Sequence, residues 1–150
     1  MQTMRSLVLE SLKSKKLCKL ASVLWTESLK GSGISVSQVA LKTIDGYLRS
    51  HFIYIPEMIE TIQTPDYMLS GLEINNVLTG DCDDITTLHA ALLLCLAFKV
   101  RLVAIRSTFT DPNFDHVYLE TEHQGEWIPY DITIPLGTEI HYFGRLTMAV

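Results

Sequence analysis

The stretch that decides the fold runs from Gly80 to Phe98 and opens with Gly80-Asp81-Cys82-Asp83-Asp84. An almost unbroken apolar run follows: Ala90, Ala91, Leu92, Leu93, Leu94, Cys95, Leu96 and Ala97. The pattern predicts a helix over 83–98, and a helix that is apolar nearly all round belongs in the centre of a fold. We therefore expect a buried central helix whose first turn carries a cysteine between carboxylates.

The regions on either side of this helix differ in type. Apolar residues at helical spacing predict a helix over 4–30, ended by Gly31-Ser32-Gly33, and a second helix over 35–50. Residues 52–56 favour a short extended piece. Beyond the central helix, alternating and β-branched residues predict strands over 100–107, 116–122, 126–132 and 139–143. Helices followed by an antiparallel sheet predict an α+β fold, with N-terminal helices and a buried helix packed on the sheet.

Composition limits the number of domains and the classes of partner. The 150 residues are 47% apolar and 19% charged, which predicts one globular domain over 1–150 with a helical part over 1–50. The net charge of −5 argues against nucleic-acid binding, and Lys13, Lys15, Lys16 and Lys19 are interpreted as a solvated helix face. We expect no membrane span, because the longest apolar run is too short. The oligomeric state is not predicted.

The chain has three cysteines, Cys18, Cys82 and Cys95. An odd number at long spacings does not suggest a disulfide framework, and the absence of a CxxC pair argues against a typical zinc site. We therefore predict that all three are unpaired, which fits a reducing compartment, and no signal peptide is evident. Cys18 and Cys95 are interpreted as packing residues. Cys82 differs from them because of its acidic neighbours.

The position of Cys82 at a helix start has chemical consequences. Unpaired N–H groups and the positive end of the helix dipole favour a thiolate there, and the same N–H groups can hold an oxyanion. Three neighbouring carboxylates oppose the thiolate, so a nearby imidazolium is needed to keep it. Asp83 and Asp84 are expected to bond backbone N–H groups of the first turn.

His116 and Asp131 are the candidate partners of Cys82. His116 opens one predicted strand, Asp131 ends the next, and the two strands form a hairpin around residues 123–125. If paired residues sum to an odd number, 247 or 249 for the two possible two-residue loops, both side chains lie on the same face of the hairpin. The sequence therefore predicts a Cys82–His116–Asp131 triad.

Several separated segments resemble the transglutaminase-like superfamily, a branch of the papain-like cysteine enzymes, and especially its small bacterial and phage-encoded members. The matching segments are Tyr54-Ile55-Pro56-Glu57, Glu60-Thr61-Ile62-Gln63-Thr64-Pro65, Gly80 to Asp84, Val100 to Val103, His116-Val117 and Trp127 to Thr133. The resemblance covers a catalytic core over 52–133. It implies that Cys82 is the nucleophile, His116 the base and Asp131 the orienting acid, with no cofactor or metal and a protein or peptide substrate. The unpaired cysteines lead us to expect a cytoplasmic location.

The sequence leaves several alternatives open. The triad serves hydrolysis of an amide or transfer of the acyl group to an amine, and a non-catalytic, virion-associated interaction module with the same fold is the alternative of a different class. Cys82, His116 and Asp131 are also a conceivable three-ligand zinc set. A second oxyanion donor is sought in Gln63 or in Asn75-Asn76, although a backbone role is favoured for them. His89 is interpreted as a core or rim histidine.

Overall fold

The computed structural model describes residues 1–30, 35–56 and 61–150. In these ranges the helices are α1 (Gln2–Ser11), α2 (Lys15–Ser28), α3 (Val36–His51), α4 (Pro65–Asn75) and α5 (Cys82–Cys95). The strands are β1 (Phe52–Tyr54), β2 (Leu78–Gly80), β3 (Val100–Arg106), β4 (His116–His123), β5 (Glu126–Tyr130) and β6 (Gly144–Ala149). Within the same ranges, no helix is both long and apolar enough to cross a membrane. The predicted Gly31–Gly33 helix end, and Glu57 and Glu60 of the quoted motifs, lie outside the described residues.

The central helix α5 is buried as predicted. Every residue from Asp84 to Leu93 is buried, and the apolar side chains join a core that α1, α2, α3, β3 and β4 also supply. The helix ends three residues earlier than predicted, because Ala97 takes a positive φ of 60° and the Phe98 N–H turns back to the Leu93 carbonyl at 3.1 Å. This bond pattern closes the last turn of a helix.

Two sheets flank the start of α5. The larger has the strand order β5-β4-β3-β6 and is antiparallel throughout, so the α+β arrangement is confirmed. The smaller pairs β1 with β2 in parallel, with Tyr54 opposite Gly80. The Ile55 N–H extends this pairing with a 2.8 Å bond to the Gly80 carbonyl. The small sheet therefore holds the extended segment of the sequence motif beside the residue that precedes the helix cap.

The N-terminal part differs from the prediction in one respect. The single helix predicted over 4–30 is two helices, α1 and α2. The break follows from Ser14, whose side chain accepts a bond from the Leu17 N–H at 3.3 Å and so caps α2. Lys13 of the basic cluster falls in this break. The second predicted helix is confirmed as α3.

The strand predicted over 139–143 is wrong. Ile140 instead packs as part of an irregular segment against Val103, Ile105 and Tyr118, on the sheet face away from α5. The strand in this part of the chain is β6, which pairs with the edge of β3 away from β4 and has Gly144 opposite Arg106. Ile140 therefore covers this face of the sheet without forming a strand.

The prediction of three unpaired cysteines is also wrong. Cys18 of α2 and Cys95 at the end of α5 form a disulfide across 77 residues of sequence, and Cys82 is the free cysteine. The bond ties an N-terminal helix to the end of the central helix opposite Cys82. The two cysteines predicted as ordinary packing residues therefore cross-link the core, which removes the basis for the predicted reducing compartment.

Candidate active site

The first turn of α5 is fixed by its own carboxylates. Asp81 is the N-cap, and its Oδ1 accepts a bond from the Asp83 N–H at 3.2 Å. Asp84 returns the interaction, since its Oδ2 accepts from the Asp81 N–H at 3.2 Å and completes a capping box. Cys82 is therefore the first residue of the helix, where no carbonyl one turn earlier in the helix accepts its N–H.

Gly80 is needed because the Asp84 carboxylate approaches its backbone closely. A Cβ atom at position 80 would collide with that carboxylate and lie 2.8 Å from the Asp84 Cβ. Any larger residue would therefore displace Asp84 from the capping box. The glycine of the opening motif thus serves the geometry of the helix start.

Gln63 also binds the carboxylate of Asp84. Its N–H donates to Asp84 Oδ1 at 2.6 Å, and its side-chain Nε2 donates to Asp84 Oδ2 at 2.8 Å and to the Thr79 carbonyl at 3.2 Å. Both N–H groups of the side-chain amide are engaged in these bonds, so the side chain has a structural partner for each of its donors. The second oxyanion donor stays unassigned.

The hairpin of β4 and β5 brings His116 and Asp131 together. His123 pairs with Glu126, so paired residues sum to 249, one of the two odd values that the sequence allowed. His116 Nε2 and Asp131 Oδ2 are 2.6 Å apart. The other carboxylate oxygen, Oδ1, accepts from the Thr133 N–H at 2.9 Å and from the Thr133 hydroxyl at 2.7 Å. Both oxygens of Asp131 are therefore oriented by neighbours.

Cys82 completes a chain of three groups. Cys82 is close enough to His116 to affect its titration, and because Nε2 of His116 faces Asp131, Nδ1 is the nitrogen left for the sulfur. Burial acts to lower the pKa of His116, but the interactions with Asp131 and Cys82 outweigh it and raise the pKa to about 10. These two neighbours therefore favour the imidazolium form of His116.

The carboxylate of Asp131 is ionised over the same range. Burial acts to raise the pKa of Asp131, but the bonds from His116 and Thr133 and the charge on His116 outweigh it, so the pKa lies below its ordinary value of 3.8. A carboxylate whose pKa is lowered stabilises the folded state above that ordinary value and loses this contribution as the pH falls. The pair therefore stays charged through the neutral range.

Two of the three side chains open onto a cleft of about 620 Å³. Its walls combine apolar residues with carboxylates, namely Met1, Met4, Tyr54, Pro56, Ile62, Ala104, Phe114, Val117, Leu146 and Met148 together with Asp81, Asp83 and Asp115. Cys82 and His116 line the cleft, whereas Asp131 is buried behind the histidine with an exposed fraction of 5%. The start of α1 contributes to the wall, so part of the helical region without a motif borders the candidate site.

Arg49 is the neighbour of this site that the sequence did not reveal. It lies in the last turn of α3, and its guanidinium donates to the main-chain carbonyls of Asp131, Ile132 and Ile134. Its Nε also donates to Asp45 Oδ2 at 2.8 Å. Every residue has a main-chain carbonyl, so the sequence does not show which ones Arg49 binds. Only the tertiary structure identifies this contact.

Other residues considered from the sequence lie away from the cleft. His89 is in the middle of α5 with an exposed fraction of 1% and faces the edge of the Tyr130 ring, so it belongs to the core. Asn75 ends α4 and Asn76 caps it in a left-handed conformation. Neither asparagine lines the cleft around Cys82.

The arrangement of the three side chains differs from a metal site. His116 faces Asp131 through Nε2 and interacts with Cys82 as well, so it lies between the other two groups. A zinc set would instead direct three ligand atoms at one point. In the part of the chain that the structure describes, the groups close enough for such convergence are Asp81, Asp83 and Asp84, and the carboxylates of Asp81 and Asp84 accept the bonds of the capping box.

Comparison with solved structures supports the fold. The chain is similar to a putative cysteine protease from Cytophaga hutchinsonii, with a TM-score of 0.57, 19% identity, and coverage of 84% of this chain and 42% of that one. It is also similar to a putative protease from Parabacteroides distasonis, with a TM-score of 0.63, 15% identity, and coverage of 86% of this chain and 25% of that one. No protein-family model and no curated protein matches the sequence.

These likenesses show a papain-like α+β fold. The chain spans less than half the length of each of the two similar structures. The identities are low, so the comparison concerns the path of the chain and the packing of its elements. What the cleft does is argued below from its own residues.

Proposed function

We propose that the chain is a cysteine-dependent acyl-transfer enzyme that hydrolyses amide or peptide bonds, and that it is a transglutaminase-like member of the papain-like enzymes. The observation that carries this proposal is the placement of Cys82 at the first residue of a buried helix, in one cleft with His116, whose Nε2 lies 2.6 Å from Asp131 Oδ2. The segments that resemble the superfamily are the ones that build this arrangement.

In the proposed acylation step, the Cys82 thiolate attacks the carbonyl carbon of the substrate and forms a C–S bond. The carbonyl oxygen becomes an oxyanion, which the free N–H of Cys82 stabilises together with one further donor. The intermediate collapses as the C–N bond breaks, and the Nδ1 proton of His116 passes to the leaving nitrogen. The products are an amine and a thioester on Cys82.

In the proposed deacylation step, neutral His116 removes a proton from water while the water oxygen attacks the thioester carbonyl. The C–S bond breaks, a carboxylic acid leaves, and the thiolate and imidazolium are restored. Asp131 holds the ring orientation and stabilises the imidazolium in both steps. An amine in place of water would give a new amide, so the same site would serve transamidation.

The first test measures the reactivity of Cys82. At pH 6, iodoacetamide should label the folded protein at one site and faster than it labels a free, uncharged thiol, because the proposed pair with His116 supplies the reactive form of the sulfur. Intact mass under non-reducing conditions keeps Cys18 and Cys95 paired. Cys82→Ala should abolish the label, and His116→Ala should slow it. Labelling no faster than the free thiol would contradict the enzyme and favour a non-catalytic module.

The second test separates the two reactions. The protein is incubated with a proteome-derived peptide mixture, with and without a fluorescent primary amine, and the products are identified by mass spectrometry. New peptide termini that require Cys82 would support hydrolysis. Incorporation of the amine without new termini would contradict hydrolysis and identify transamidation. The Cys82→Ala variant is the matched control for both products.

A further inference from the structure

Arg49 connects the N-terminal helices to the segment that carries Asp131. Its three main-chain acceptors are the carbonyls of residues 131, 132 and 134, and the remaining contact is the ion pair with Asp45. The arginine side chain is 21% exposed and the aspartate side chain 7%, so the contact is largely shielded from solvent. A guanidinium fits such a set because its five N–H donors are held in a planar fork.

The segment that Arg49 binds has already left the sheet. β5 ends at Tyr130, which pairs with Leu119, and the strand pairing between β4 and β5 does not extend to Asp131. Ladder hydrogen bonds therefore do not fix the position of the Asp131 backbone. Ile132 anchors the segment by its buried side chain, and Thr133 orients the carboxylate. Arg49 supplies the bonds to its main-chain carbonyls.

We propose that Arg49 is a positioning residue for Asp131, which it holds at hydrogen-bond distance from His116 by binding the carbonyls of residues 131–134. The inference rests on the proposed function, since it assigns Arg49 to the support of that same triad. It also gives residues 1–50 a part in the site, through a residue outside the segments that resemble the superfamily. Arg49 touches neither Cys82 nor His116 and does not take part in bond making.

The test measures the position of Asp131 through the titration of His116. NMR of the His116 ring in a Cys82→Ala background gives its pKa without any turnover. In this background the charged groups facing the ring are Asp131 and Asp115. Arg49→Gln and Arg49→Lys are compared with Lys42→Gln, which removes a positive charge from an exposed position on the same helix.

The direction in which the His116 pKa changes separates two effects of Arg49, its positioning of Asp131 and its positive charge. Removal of a nearby cation would by itself raise the pKa of His116, because an imidazolium would lose a repulsion. Loss of the Asp131 contact would lower that pKa. We expect Arg49→Gln to lower it by about one unit or more, Arg49→Lys to lower it less, and Lys42→Gln to leave it unchanged. In an Asp131→Asn background, Arg49→Gln should produce no further fall.

A raised or unchanged His116 pKa in folded Arg49→Gln would overturn the positioning role. If Arg49→Gln does not fold, Arg49→Lys keeps the charge and carries the same test: it should lower the pKa, and a wild-type value would overturn the role. With Cys82 intact, we expect Arg49→Gln to reduce kcat about tenfold or more with little change in KM. If the wild-type protein shows no activity but Arg49→Gln lowers the pKa of His116, the proposed function fails and the positioning role stands.

Discussion

His116 lies beside the first residue of helix α5 and His89 lies within the middle of that helix, and their pKa values are shifted in opposite directions. The pKa of His116 is raised to about 10, whereas the pKa of His89 is lowered to about 3. Burial acts in the same direction on both, because it disfavours the charged form of each ring. The difference must therefore come from the groups that each ring contacts.

The contacts of the two rings account for the difference. His116 has Asp131 as a hydrogen-bond partner and also interacts with Cys82. Within the described residues, neither nitrogen of His89 has a hydrogen-bond partner, and the positive charge of Arg49 lowers the pKa further. The comparison shows that burial alone makes a histidine neutral and structural. A carboxylate partner and a thiol make it the candidate proton donor.

The largest expected effect comes from making His116 resemble His89. Asp131→Asn removes the carboxylate partner, so the pKa of His116 should fall and the alkaline limb of kcat/KM should move to lower pH. In the serine-protease triad the equivalent change costs about 10⁴-fold in kcat, and we expect a loss of about 10²–10⁴-fold here. A pH–rate profile with a peptide substrate measures both quantities.

The control for this change is Glu122→Gln. It removes a carboxylate from the same hairpin, where Glu122 pairs with Lys99, and should leave the profile near that of the wild type. If Asp131→Asn kept the wild-type alkaline limb, the carboxylate would not be what distinguishes His116 from His89.

His89→Leu tests the buried, neutral histidine, and we expect an effect of intermediate magnitude on the free energy of unfolding. The pKa of His89 lies below its ordinary value of 6.5, so the unfolded chain binds a proton that the folded protein does not between about pH 3 and 6.5. Wild-type stability should therefore fall as the pH drops through this window, by up to about 1.4 kcal/mol per pH unit from this group. The variant lacks that contribution.

Urea unfolding of both proteins across this window gives the difference in the free energy of unfolding. We expect His89→Leu to gain stability over the wild type as the pH falls, and at neutral pH to lose little, because two unbonded buried nitrogens are removed. His51→Leu, at the partly exposed end of α3, is the control. A difference independent of pH would mean that His89 titrates like an exposed histidine.

The part of the molecule around Cys82 could be predicted because its signals are local or depend on simple parity. The carboxylates that cap α5 lie within three residues of Cys82, and the face shared by His116 and Asp131 follows from the length of the hairpin loop. The apolar run of α5 likewise predicts burial without knowledge of its neighbours. The catalytic roles of these residues remain predictions.

The parts that could not be predicted depend on contacts between distant segments. The Cys18–Cys95 disulfide joins residues 77 positions apart and requires α2 to pack against the end of α5. Arg49 binds carbonyl groups, which every residue possesses. The residue pattern over 139–143 predicts a strand, but Ile140 is apolar because it covers the second face of the sheet. These three features depend on tertiary contacts that local pattern does not encode, whereas the break between α1 and α2 follows from the local cap at Ser14.

The smallest expected effect concerns stability at alkaline pH and has the opposite sign to that of His89. Because the pKa of His116 is raised in the folded state, its stabilising contribution is fully present below the ordinary value of 6.5 and is lost as the pH rises through about 10. In a Cys82→Ala background the Asp131 contact still raises this pKa, so the stability difference between wild-type His116 and His116→Gln should shrink as the pH rises above 6.5, over a narrower window than with Cys82 present. The partial exposure of the ring keeps the effect smaller than that of His89. Difference curves with opposite slopes for the two histidines would support contact-determined protonation, whereas parallel curves would contradict it.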